Sequence, residues 1–110
     1  MNYNDPLLGL WRFGPAGQML AHDSLQITLF FNSLLEGIYG TLRVPVADVA
    51  QAFRITDFRP IPLLDVPVNV FLALSWIWMS LNPPLGPDVH PNAIGYGVIA
   101  GAFVKIIGAR

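Results

Sequence analysis

The chain has 110 residues, of which 54% are apolar and only 12% charged; its net charge is −1 and it contains no cysteine. Soluble domains carry about 25% charged residues, so a small chain with half that share is short of polar groups to cover an aqueous surface. Six basic residues against seven acidic ones, without a basic stripe, argue against a nucleic-acid partner. The missing cysteines exclude disulfides, thiolate metal sites and cysteine nucleophiles.

This composition leads to the expectation of an all-α, small integral membrane protein. One membrane domain, 1–110, would be divided into an interfacial arm (1–23), a first helix (24–42), a polar connector (43–65) and a C-terminal transmembrane helical hairpin (66–108). No Lys or Arg precedes Arg12, so no secretory leader is expected.

The arm is rich in Gly and Pro. Leu7, Leu8, Leu10, Trp11 and Phe13 form an apolar cluster around Arg12, and Gly14-Pro15 reads as a break. A Trp beside an Arg suits a membrane–water interface; packing on a partner protein is the competing reading. Helix one follows, with Asp23 or Ser24 as its cap. Ile27, Phe31, Leu34, Leu35, Ile38 and Leu42 recur at helical spacing, opposite Gln26, Asn32, Ser33 and Glu36. The helix is long enough for a span of about 17–25 residues and amphipathic enough to lie in the interface. Glu36 would need a partner in the first case and face water in the second.

The connector holds Arg43, Arg54 and Arg59 with Asp48, Asp57 and Asp65. Val46–Phe53 allows two helical turns, and Pro60 and Pro62 force an extended run. Helix two, 66–82, has Pro67 in its first turn and carries no charge. It is apolar on every side, which points to lipid. A proline-rich turn, Asn82 to Pro91, leads to helix three, 92–108, capped by Asn92 and uncharged until Lys105. All six Lys and Arg lie outside the turn of the hairpin. That places the connector and C-terminus in the cytoplasm, with the chain in a prokaryotic inner membrane, cytoplasmic or intracytoplasmic.

Ala93, Gly97 and Gly101 are four residues apart and share one helix face, a helix-packing stripe for another helix of this chain or of a partner. Ile94-Gly95-Tyr96-Gly97 resembles the end of a potassium-channel filter. No pore helix precedes it and the chain ends soon after, so contact glycines are the better reading. Trp11, Arg12, Trp76, Trp78 and Lys105 are candidate interfacial anchors. His22 and His90 match no metal-ligand spacing, and no catalytic constellation is present. No cofactor and no metal are expected.

The function expected is that of a non-catalytic accessory or structural subunit of a larger membrane protein complex, such as an energy-converting respiratory or photosynthetic one. Its partners would be other membrane subunits and lipids, with homo-oligomers allowed. Two alternatives stand beside it: a self-assembling pilin-like or virion membrane building block, and a membrane anchor or cofactor-holding subunit of an enzyme.

Overall fold

A computed structural model of the chain describes residues 1–76, 81–82, 86–87 and 91–108. The chain opens with a 3-10 helix, Pro6–Phe13, capped by Asp5, whose side chain accepts from the Leu7 N–H. Gly14 takes φ +87°, a left-handed value suited to glycine, and turns the chain into α1, Pro15–Thr41. Gly14-Pro15 therefore ends the 3-10 helix, as a break does, and starts a second helix at once. Proline at the first helical position loses no hydrogen bond there. The first helix begins nine residues ahead of its expected start at 24, and the arm is not irregular.

α1 ends in a left-handed turn at Arg43 (φ 55°). Arg43 N–H donates to Gly40 O and Val44 N–H to Tyr39 O, which satisfies two of the last carbonyls of the helix. The connector makes one helical turn, α2 (Val49–Ala52), capped by the Asp48 carboxylate. It closes the same way: Arg54 sits at φ 51°, with bonds from Arg54 N–H to Gln51 O and from Ile55 N–H to Ala50 O. β1 (Pro60–Ile61) and β2 (Val66–Pro67) then pair antiparallel, Pro60 opposite Pro67 and Ile61 opposite Val66. α3 follows over Val68–Trp76. β3 (Leu81–Asn82) pairs with β4 (Gly86–Pro87), and α4 spans Ala93–Ile107.

The core lies where the 3-10 helix, α1, the connector and α3 converge. Leu8, Ala21, Leu25, Val49, Phe53, Ile55 and Ala73 are buried together, with Trp11, Phe58, Trp76, Val98 and Ala102 packed around them. Asn69 is also buried. Its Nδ2 donates to Ile55 O at 2.9 Å, and its Oδ1 accepts from Val70 N–H at 2.8 Å.

This architecture corrects the membrane expectation. Among the described residues, no helix is long and apolar enough to cross a membrane. At about 1.5 Å per residue, the fifteen residues of α4 reach roughly 22 Å, short of a hydrocarbon layer about 30 Å thick. The nine residues of α3 reach less. α1 has the length, but Gln18, His22, Asp23, Gln26, Asn32 and Glu36 interrupt it. The transmembrane hairpin and the inner-membrane placement are therefore withdrawn. The all-α class is corrected too, since two short antiparallel strand pairs are present. The second helix begins at Val68 and not Val66, because Val66 and Pro67 belong to β2 and Asp65 takes φ 53° in the turn before it. A low share of charge does not by itself imply lipid. It is equally compatible with a folded chain whose apolar groups stay on its surface.

Candidate functional site

On the polar side of α1, Asn32 and Glu36 meet the N-terminal segment, while Gln26 and Ser33 stay exposed. Asn32 is buried and binds the Tyr3 backbone twice: its Nδ2 donates to Tyr3 O at 2.7 Å and its Oδ1 accepts from Tyr3 N–H at 2.8 Å. The amide thus imitates a strand neighbour. Asn2, also buried, donates through Nδ2 to Glu36 Oε1 (2.9 Å) and Asp48 Oδ1 (2.7 Å), and accepts from Ala50 N–H (2.9 Å). One amide therefore fastens the arm, α1 and the connector together, and Glu36 is bonded within the chain. Further along, Gly17 lies against the 3-10 helix so closely that a Cβ there would collide with the Leu10 carbonyl.

Asp5 completes this seam. Its Oδ1 accepts from Ser24 Oγ at 2.7 Å and from Leu7 N–H at 3.1 Å, while its buried Oδ2 has no partner. Burial pushes the Asp5 carboxyl above its usual value, against the pull of the Ser24 and Leu7 hydrogen bonds. The half-buried Asp57 behaves oppositely. Its hydrogen bonds from the Arg59 guanidinium, at 2.7 and 2.9 Å, hold it down to about 2.

With Asn32 and Glu36 turned to the N-terminal segment, the apolar stripe faces outward. Ile27 is 70% exposed, Phe30 67%, Leu34 51% and Ile38 56%, and Leu20, Phe31 and Leu42 are exposed as well. Successive helix residues advance by about 100°, so these side chains form one row along the helix, with Asp23 and Thr41 set into it near its two ends. This face is the first candidate site.

The second is a groove of about 840 Å³ between the connector and α4. Pro45, Val46 and Ala52 form one apolar wall and Val98, Ala102 and Ile106 the other. Asp48, Gln51, Arg54 and Lys105 supply its polar groups. Gly101 lines it with open space where a Cβ would stand.

The residues singled out from sequence are dispersed. Ala93, Gly97 and Gly101 are exposed, and Gly97 and Gly101 have no atom near a would-be Cβ. The close approach within the chain is made one step round the helix by Gly95, whose Cβ would strike the Trp76 carbonyl. Asn92 reinforces that contact: its N–H donates to Trp76 O at 3.0 Å and its Nδ2 to Ser75 O at 2.7 Å. Trp11 packs in the core, with His22 at 5.1 Å and Phe58 at 5.8 Å between ring centroids. His22 stacks on Phe58 at 5.4 Å. Arg12 lies over the Phe13 ring at 5.0 Å. Trp76 meets Phe53 edge to face at 5.6 Å, and Lys105 stands on the groove. Trp78, His90 and most of the proline-rich turn fall outside the described residues. Among the described residues, no group of three His, Asp or Glu could hold a metal ion.

Sequence reasoning missed Asn2 and Asn32, Gly95, and the groove. Polar side chains on an otherwise apolar helix were a usable signal for Asn32. Nothing local marks Asn2, because its partners are 34 and 46 residues away. Compared with protein-family models, with curated proteins and with solved structures, the chain matches none.

Proposed function

We propose that the chain is a non-catalytic accessory subunit that attaches to a larger protein assembly through the outward face of α1. The observation that carries this reading is the row from Leu20 to Leu42, which holds seven large apolar side chains in the open. Contiguous apolar patches beyond a few hundred Å² mark interaction surfaces. Covering the exposed half of each side chain contributes roughly 1 kcal/mol, about 7 in all. Association costs about 4–15 kcal/mol, so the row suffices only when the partner also engages polar groups in or beside it. Gln26, Ser33 and Asp23 stand there, exposed.

Self-association is a second reading, favoured by one feature. Asp23 is the one charged residue along the row, and in a second copy laid antiparallel the two Asp23 carboxylates stand at opposite ends. A triple variant, Ile27→Gln with Leu34→Gln and Ile38→Gln, tests both. It keeps the circular dichroism of the parent and loses co-purifying subunits from the native source, or loses the dimer in sedimentation. A parent chain that is monomeric and free of partners in its native extract contradicts the proposal, and so does a triple variant that retains the same partners.

A further inference from the structure

The groove between the connector and α4 lies apart from the outward face of α1, and its lining has a chemistry of its own. Val98, Ala102 and Ile106 recur every four residues and make a continuous apolar strip on α4. From Val98 to Ile106 the strip covers about 12 Å of helix axis. Its volume, about 840 Å³, falls in the usual range for small-ligand sites, about 300–1,000 Å³.

The walls carry two cations, Arg54 and Lys105, against one carboxylate, Asp48. Asp48 is held at one oxygen and keeps its charge: its Oδ1 accepts from Asn2 Nδ2 at 2.7 Å and from Gln51 N–H at 3.0 Å. Lys105 and Arg54 are both exposed, and among the described residues neither makes an ion pair. Asp57, the carboxylate near enough to feel Arg54, is held by Arg59. The groove therefore offers two exposed cations, one more than its carboxylates, beside an apolar strip. Arg54 is placed there at φ 51°, in a left-handed turn that glycine occupies more readily.

We propose that this groove binds an amphiphilic monocarboxylate, a fatty-acid-like molecule. Its carboxylate meets Arg54 and Lys105, and its hydrocarbon chain lies along Val98, Ala102 and Ile106. A neutral amphiphile leaves both cations unused, and a cationic one is repelled by them. Gly101 opens the space that the chain occupies.

Calorimetric titration of the full chain with dodecanoate, dodecanol and dodecyltrimethylammonium, each below its micellar concentration, tests this. Dodecanoate is expected to bind at least about tenfold more tightly than the other two, the worth of one charge-assisted hydrogen bond. Gly101→Trp, which meets no neighbour at its Cβ, fills the groove and abolishes binding. Arg54→Gln with Lys105→Gln, both at exposed positions, weakens dodecanoate by about tenfold or more and leaves dodecanol unchanged. This pair keeps the test valid should the Trp variant fold poorly. The triple variant on α1 is expected to bind dodecanoate normally. The proposal is overturned if dodecanoate does not bind, if the three head groups bind alike, if folded Gly101→Trp binds as the parent does, or if binding is lost with the α1 variant instead.

Discussion

On one side of α1, Gly17, Ala21, Leu25 and Asn32 lie against the N-terminal segment and the core; on the other, Leu20, Ile27, Phe30, Phe31, Leu34 and Ile38 stand open. The buried side holds the smaller and more polar residues. Small residues allow a backbone to approach, and a buried amide that forms all its bonds fixes a single register. Large apolar groups gain most from being covered, and here the described chain leaves them uncovered. The seam between α1 and the N-terminal segment is thus set by close approach and amide pairing. The stripe with the greatest hydrophobic payload is left for another surface.

The largest test of that contrast is a matched pair of glycines on the same helix. Gly17→Ala forces a Cβ into the Leu10 carbonyl and is expected to cost about 3 kcal/mol, the upper end for overpacking. Gly37→Ala, with nothing near its would-be Cβ, is expected to be neutral or to stabilise by up to about 1 kcal/mol through helix propensity. Thermal unfolding of the two variants separates them by many degrees if the two sides are as described.

A second pair exchanges chemistry across the helix. Asn32→Leu strips both hydrogen bonds from the Tyr3 backbone and is expected to cost about 2 kcal/mol, since buried polar groups left unpaired carry a penalty of about 1–3. Leu34→Asn, on the open side, is expected to stay within about 0.5 kcal/mol of the parent. Urea unfolding at constant slope measures both. Equal losses would erase the distinction between the sides.

The smallest effect is in the pH dependence of the seam. The Asp5 carboxyl is raised on folding, first by burial, so folding favours its protonated form. Its contribution to stability is fully present below the unfolded value of 3.8 and is lost as pH rises through the higher folded value. Asp57 acts in reverse: its contribution is present above 3.8 and is lost as pH falls through about 2. Asp5→Asn is therefore expected to remove the decline above pH 3.8 and leave the acid limb between 3.8 and 2 in place, read as unfolding midpoints across pH.

Local signals account for what was legible in the sequence. Asn92 announces the start of α4, and Pro60 with Pro62 announces the extended run that becomes β1. These features depend on a residue and its immediate neighbours. The polar face of helix one was visible, but water and a folded-back arm are equally good partners for Asn32 and Glu36. The arm's own contribution, Asn2, lies 34 residues from Glu36 and 46 from Asp48. Spacing placed Gly97 and Gly101 on one face, but spacing cannot say which face docks. Gly95 does so because Asn92 bonds back to Ser75 and Trp76. The low charge suggests lipid, yet composition counts apolar residues without saying which of them the fold leaves outside. The groove depends on α2 meeting α4, a tertiary contact with no local mark.

The claim on which the account rests is the outward orientation of the stripe on α1, and the absence of native cysteine makes a direct measurement simple. Single cysteines at Ile27, Leu34 and Ile38, and at Ala21 and Leu25, are reacted with a thiol reagent in dilute chain under native conditions. The account predicts modification at 27, 34 and 38 nearly as fast as in denaturant, with strong protection at 21 and 25. Protection along 27, 34 and 38 with rapid labelling at 21 and 25 would contradict it.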